Sequence, residues 1–485
     1  MDFYFGDLGL VRLLIQKGIA LIYFVAFLSA YNQFPMLLGE KGLLPIKNFL
    51  PYVRFATKPS IFHWYYSDLF LRGLTLLGSL LSLLLFFGVF EEVPLGIDII
   101  IWLLLWVIYL SIVNVGQTFY AFGWESMLLE AGFIASFLGN SHIQPSFIPI
   151  LILRWMLFRT ELGAGLIKLR HDACWRDLTC LYYHYETQPL PNPLSWFFHR
   201  LPKFIHRFSV LFSHFVQLIA PFGLFAPQPV ASIAGALIIS HQLLLIISGN
   251  YSWLNWLTVV LGFSALSGTY FSWFISLSPS PTAITPIWYD LLLYILAALV
   301  IFLSYKPLKN LISKNQLMNF SYNPFHIINT YGAFGSITKK RYEIIIEGTN
   351  DETISADTHW EEYEFKAKPG VIKKIPPLIA PYHLRLDWLM WFLPFSVSVS
   401  SYGIIPQGFD LWFLRFIEKL LKNEKKMASL LSKNPFAQVP PKYIRARFFH
   451  YEFTNSKELL ETKAWWKRKY IGDYLPPVSL KEFNI

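Results

Sequence analysis

With 54% hydrophobic and only 15% charged side chains among its 485 residues, and a mean hydropathy of +0.42, the chain is excluded from the soluble globular class and has a bilayer as its natural solvent. Nearly all of its net charge of +10 sits on the tail, because residues 1–305 carry 15 Lys/Arg against 14 Asp/Glu and residues 306–485 carry 26 against 17. The basic residues are interleaved with acids and no zinc-finger, RRM or KH pattern occurs, so nucleic acid is not expected as a partner; anionic lipid or an acidic protein surface is the cheaper explanation.

The opening MDFYFGDLGLVRLLIQKG lacks a basic region followed by a small-residue cleavage site, and its apolar continuation reads as a retained anchor. Crossing a hydrocarbon core of about 30 Å takes roughly 20 apolar residues. Seven segments meet that demand: Gly18–Phe34, Leu69–Phe90, Ile97–Val115, Ile205–Phe225, Val230–Ser248, Trp253–Ile275 and Trp288–Tyr305. Two more carry charge, Phe122–Leu138 with Glu125 and Glu130, and Ser146–Leu169 with Arg154, Arg159, Glu161 and Lys168. The expected fold is therefore a polytopic α-helical membrane domain over residues 1–305 with about nine transmembrane helices; an interfacial position is the alternative for one or both charged segments.

Intramembrane charge is costly and turns inward to find partners. Glu125 and Glu130 are the expected partners of Arg154 and Arg159, while Arg154, Glu161 and Lys168, spaced by seven, fall on one helical stripe. An architectural network locking two helices is the leading reading of these charges.

Past Tyr305 the pattern changes to the alternation of a half-covered sheet, and residues 306–485 are expected to form a β-rich soluble domain. Arg341–Glu347 and Trp360–Lys366 read as strands joined across GTNDE, Arg445–Thr454 as a third strand, and Asp410–Lys422 as a helix with Asp410 as N-cap and Leu411, Leu414, Ile417 and Leu421 on one face. Pro376-Pro377, Pro440-Pro441 and Pro476-Pro477 mark loop corners. The loops Pro35–Asp68 and Arg170–Lys203 are basic, the loop near Glu91, Glu92 and Asp98 is acidic, and those near Gln228 and Ser280 are uncharged. By charge bias alone the basic loops and the tail belong in the cytoplasm.

Cys174 and Cys180 exclude a disulfide-rich scaffold, but their spacing permits one disulfide; a Cys2His2 set with His171 and His184 and two packed thiols are the alternatives, and no metal is expected. The run from His184, Tyr185 and Glu186 to Pro193 is too proline-rich for a helix and reads as a fixed loop, either a lip for a client or a connector. Arg385–Phe392 (RLDWLMWF), with Arg385, Asp387, Trp388 and Trp391, is amphipathic and aromatic, suited to docking on the membrane or a partner. Two N-x-S/T triplets, at Asn250 and Asn319, have meaning only in a glycosylating lumen.

GWESMLLEAGF (Gly123–Phe133) and LRWMLFRTELGAGLIKLRHDACWRDLTCLYYHYETQPLPNPLSW (Leu153–Trp196) resemble the signature region of the lipase maturation factors, and YEIIIEGTNDE, WEEYEFKAKPG, APYHLRLDWLMWF and NPFAQVPPKYIRARFFHYEFT resemble that family's C-terminal domain in content and order. The resemblance covers nearly the whole chain. It implies a folding or maturation role toward a lipase-like client with no cofactor, a membrane lipid environment, and residence in the endoplasmic reticulum membrane of a eukaryote or the cytoplasmic membrane of a bacterium. It also implies a lumenal C-terminal domain, against the charge bias. A more distant similarity links Leu153-Arg154, Ala164-Gly165, Lys168-Leu169, Asp172 and Trp175 to the membrane domain of vitamin K-dependent γ-carboxylase, whose matching lysine deprotonates a reduced quinone. That similarity implies an alternative function, an enzyme acting on a quinone-like lipid through Lys168, although the carboxylase's catalytic histidine has no counterpart in FYAFGWES.

Overall fold

The computed structural model describes residues 2–271, 285–400 and 403–483. Apart from pieces of five residues or fewer, its helical part runs α1 (Gly9–Leu37), α2 (Asp68–Phe87), α3 (Leu95–Val115), α4 (Gly123–Ala135), α5 (Phe147–Arg170), α6 (Leu181–Thr187), α7 (Lys203–Leu218), α8 (Val230–Ser248), α9 (Leu254–Gly262) and α10 (Ile287–Ile312). Local chemistry sets several boundaries. The Ser67 hydroxyl accepts from Phe70 N at 3.0 Å to open α2, and Gly88, at φ +79°, closes it in a left-handed turn.

Among the described residues five of these helices, α1, α2, α3, α8 and α10, are long and apolar enough to cross a membrane, which does not confirm the expected count of about nine. Phe122–Leu138 yields only the 13 residues of α4, about 20 Å at 1.5 Å per residue, and all but Phe133 are buried. Ile205–Phe225 divides at Ile219, ahead of Pro221, into α7 and a single turn. Of Trp253–Ile275, the described part forms α9 and two short 3-10 turns; residues 272–275 and the Ser280 loop lie outside the described residues. Helix α5 has the length but carries four internal charges.

Successive helices alternate in direction. The C-terminal ends of α1, α3, α5, α8 and α10 gather with the N-terminal ends of α2, α4, α7 and α9, as shown by Glu40 N to Asp68 Oδ1, Trp253 Nε1 to the Trp124 carbonyl, and Arg170 to the Leu311 carbonyl. The chain's N-terminal segment lies at the opposite end, where Arg12 donates to the carbonyls of Asn140 and Ile143.

The C-terminal part adds α11 (Arg385–Phe392) and α12 (Leu411–Leu421), and strands β1 (Arg341–Thr349), β2 (Glu361–Glu362), β3 (Glu364–Phe365), β4 (Val397–Ser400), β5 (Gly403–Pro406), β6 (Leu431–Lys433), β7 (Tyr443–Phe453) and β8 (Trp466–Val478). An antiparallel sheet is ordered β2-β1-β7-β8, with Ile345 opposite Arg447 at its centre. The expected strand Trp360–Lys366 is split, since β2 pairs with β1 while β3 turns away to β6. Strand β8 carries Lys467-Arg468-Lys469 and contains Pro476-Pro477, which therefore sit in an edge strand instead of a loop corner; an edge position needs no donor on its outer side. Asp410 precedes α12 but makes no side-chain cap, and the buried face is Trp412, Phe413, Phe416, Ile417, Leu420 and Leu421, with Leu411 exposed. A single cluster of buried apolar side chains runs from Phe27 and Leu153 in the bundle to Ile346 and Phe413 in the sheet module.

Candidate functional site at the bundle and sheet seam

Helices α4 and α5 are antiparallel, and this decides which charges meet. Glu130 and Arg159, each in the middle of its helix, form a buried ion pair, and the second carboxylate oxygen of Glu130 accepts from Asn329 N (2.8 Å), Asn329 Nδ2 (3.0 Å) and Tyr331 OH (2.7 Å). Glu125, at the N-terminal end of α4, is far from Arg154, which lies near the start of α5. The expected pairing of Arg154 with an acid is therefore not made: its Nε donates to the Ser264 carbonyl at 2.8 Å, its Nη1 to Leu224 at 3.1 Å, and it covers the Phe5 ring. Glu125 receives instead Nη1 of Arg385 at 2.6 Å, together with the Tyr109 hydroxyl. Arg385 also donates to the Phe119 carbonyl at 2.7 Å and lies 3.4 Å over the Tyr120 ring. Burial opposes its charge, but Glu125 overrides that and holds the guanidinium above its usual range.

Farther along α5, Glu161 accepts from Gln242 Nε2 (2.6 Å) and Gln217 Nε2 (3.2 Å), while Lys168 donates to Gln217 Oε1 (2.7 Å) and lies 4.6 Å over the Trp175 ring. Lys168 is thus joined to Glu161 through one amide. Gln217, His241 and Gln242 were not singled out in the sequence reading; a signal existed, since each interrupts an apolar helix.

Cys174 and Cys180 form a disulfide just beyond α5, with Asp172 Oδ1 accepting from Cys174 N at 3.0 Å. The Cys2His2 set is not assembled, because both sulfurs are bonded to each other, His184 Nε2 meets Tyr251 OH at 2.9 Å and His171 Nδ1 faces the Ile167 carbonyl. Burial pushes His184 down to about 3.

Contrary to expectation, His184, Tyr185 and Glu186 are helical. Proline begins only at Pro189 and restrains Gln188, so α6 runs to Thr187 before it breaks. Nor do they form an open lip: His184 and Tyr185 are buried, and Glu186 accepts from Phe453 N at 2.6 Å across the seam. Helix α11 faces them. Asp387 accepts from Ala367 N and Lys368 N at 2.7 and 3.0 Å, Trp388 packs on Trp124 with ring centroids 4.9 Å apart, and Trp391 Nε1 donates to the Thr187 carbonyl at 3.1 Å.

Two cavities adjoin at this seam. A vestibule of about 570 Å³ lies between Phe122 and Trp124 on one side and Trp391, Phe392 and Phe395 on the other. An inner cavity of about 350 Å³ is bordered by Glu161, Lys168, Gln217, His241 and Gln242. Thr160, Ala164, His184 and Phe334 contribute to both walls.

Apolar membrane helices with ion pairs turned inward, capped by a sheet module held through Arg385, define a polytopic integral membrane protein with a docked C-terminal sheet region. The chain belongs to the lipase maturation factor family: the family model "Lipase maturation factor transmembrane domain" matches residues 10–273 and "Lipase maturation factor C-terminal domain" matches residues 327–476. Similar relatives include lipase maturation factor 1 of Homo sapiens, 40% identical over 99% of this chain and 89% of the relative, and of Mus musculus, 39% identical over 99% and 89%. Lipase maturation factor 2 of Xenopus tropicalis is 28% identical over 98% of this chain and 83% of its own length. No solved structure matches.

Proposed function

We propose that this protein is a membrane-embedded maturation factor that assists the folding of lipase-like secreted clients, in the endoplasmic reticulum membrane of a eukaryotic cell or the cytoplasmic membrane of a bacterium. The observation that carries this reading is the aromatic rim of the vestibule. Phe392 and Phe395, from the extramembrane module, are 41% and 51% exposed beside the half-buried Trp391, an apolar surface suited to an incompletely folded chain. Support for the side comes from the Cys174–Cys180 disulfide, which lies at the end of the bundle where the module docks; disulfides persist in oxidising compartments, where secreted clients fold. His184, Tyr185, Glu186, Arg385, Asp387 and Trp388 then serve to hold the rim in place.

The test is co-expression of a secreted lipase with this chain in cells lacking a factor of their own. Replacing Phe392 and Phe395 together by Ser is expected to cut secreted lipase activity severalfold while the amount and thermal midpoint of the variant stay unchanged. Undiminished secretion sinks the rim as the client surface.

A second reading, an enzyme acting on a quinone-like lipid, draws on the position of Lys168 in the inner cavity wall. The two readings part on Lys168→Ala: quinone-dependent turnover disappears under the enzyme reading, whereas client yield changes little under the maturation reading.

A further inference from the structure

The inner cavity lies among α5, α7, α8 and α9, and its rim reaches Phe208 and Leu244 on the outward faces of α7 and α8. Those faces are largely apolar: Phe204, Leu211 and Phe215 are exposed on α7, where Lys203 and Arg207 are the exposed charges of its first turns, and Ile233, Leu243 and Ile247 are exposed on α8. Exposed apolar side chains of this kind on both helices suit contact with lipid chains.

Inside, hydrogen-bond directions are determined by Glu161. As a carboxylate it can only accept, so Gln217 and Gln242 must both turn their NH2 groups toward it, and Lys168 takes the Gln217 oxygen. Among the described residues, that leaves the Gln242 carbonyl oxygen without a donor, and Nδ1 of the neighbouring His241 is likewise without a partner; both residues are at least 95% buried. Lys168 and Glu161 balance in charge, so the wall offers nothing to an ionic head group. A hydroxyl both donates and accepts, so it can donate to the Gln242 carbonyl oxygen or pair with the His241 imidazole, and both side chains border the cavity.

We propose that the inner cavity binds a neutral, hydroxyl-bearing, single-chain amphiphile that arrives sideways from the bilayer, with its hydroxyl at Gln242 and His241 and its chain leaving between α7 and α8 past Phe208 and Leu244. The volume of about 350 Å³ is near the lower bound of about 300 Å³ for small-molecule pockets, which admits a head group and the start of one chain. The site is distinct from the aromatic rim and stands whether or not a client docks there.

The full chain in nanodiscs is photolabelled with a diazirine-bearing monoacylglycerol. Label is expected on peptides from residues 203–218 and 230–248. Gln242→Leu, which removes the acceptor, is expected to lower labelling by about tenfold, as the loss of one hydrogen bond to a buried group implies, and Ser209→Trp, which narrows the rim without touching the polar chain, is expected to lower it severalfold by blocking entry. The outward-facing control Leu76→Trp leaves it unchanged. Labelling that withstands Ser209→Trp overturns the proposal. So does equal labelling of the same peptides by the matching fatty-acid or two-chain phosphatidylcholine probe.

Discussion

Arg385 joins the extramembrane module to the bundle with one charge. Its removal leaves Glu125 buried with only the Tyr109 hydroxyl and the more distant His383, and breaking a buried pair from one side costs about 3–5 kcal/mol. Arg385→Ala is expected to lower the thermal midpoint in detergent and to expose the module to limited proteolysis. His383, two residues earlier, is fully buried against Trp124 and Trp253, with Nδ1 3.7 Å from Glu125. Burial first, then Arg385, pushes it from 6.5 down to about 3. The unfolded chain takes up this proton below pH 6.5 and the folded chain refuses it until about 3. The stability it contributes is thus complete above pH 6.5 and is lost as pH falls through that window, by about 1.4 kcal/mol per pH unit. Thermal midpoints at pH 7.5 and 5.5 are expected to differ more for the natural chain than for His383→Phe. At this scale the acids and bases of the site were legible as types, because a charge in an apolar segment is conspicuous. Their partners were not: Arg385 lies 260 residues from Glu125 in the chain.

Among the elements, α5 and the segment after α10 show how closely the two parts of the chain interlock. A Cβ at Gly163 would stand 2.3 Å from the Tyr331 carbonyl oxygen, a backbone atom unable to swing away, whereas one at Gly73 meets nothing within 4 Å. Gly163→Ala is therefore expected to destabilise by about 1–3 kcal/mol, while Gly73→Ala is neutral or mildly stabilising, as compared by thermal midpoint in detergent. Residues 316–337 follow the bundle: Gln316 Nε2 donates to the Gly163 carbonyl at 2.9 Å, and Trp175 Nε1 to Phe334 at 2.8 Å. We propose that the functional boundary of the extramembrane module falls near residue 338, with the division at 305/306 marking only a change in hydropathy. Long apolar helices, the apolar strand β1 and the alternating strand β7 could be read from pattern. Strand β8 could not, because an edge strand tolerates basic runs and prolines that erase the alternation.

For the whole molecule, two signals bear on the side of the membrane. The basic loops after α1 and α5 share an end of the bundle with the basic module, and the acidic Glu91 and Glu92 lie at the other, where Ser141 and His142 hold their carbonyls. Charge bias favours that basic end as cytoplasmic, while the disulfide favours it as lumenal. Of the two glycosylation triplets, Asn250 is buried and bonded to the Pro191 and Pro377 carbonyls, while Asn319 is exposed. With the module in the lumen, a glycan acceptor appended to the C-terminus is expected to be modified in microsomal membranes and one appended to the N-terminus is not. The reverse pattern would refute the lumenal reading.

Hydrophobicity is additive along a chain, so the sequence alone determined that this is a helical membrane protein with a β-containing tail, and long motifs were enough to show its kinship. Pairing of charges, the sharing of one core by bundle and sheet, the shortness of α4 and the seam cavities arise from contacts between distant segments. Helix direction and close backbone packing decide those contacts, and neither is written in any local pattern of residues.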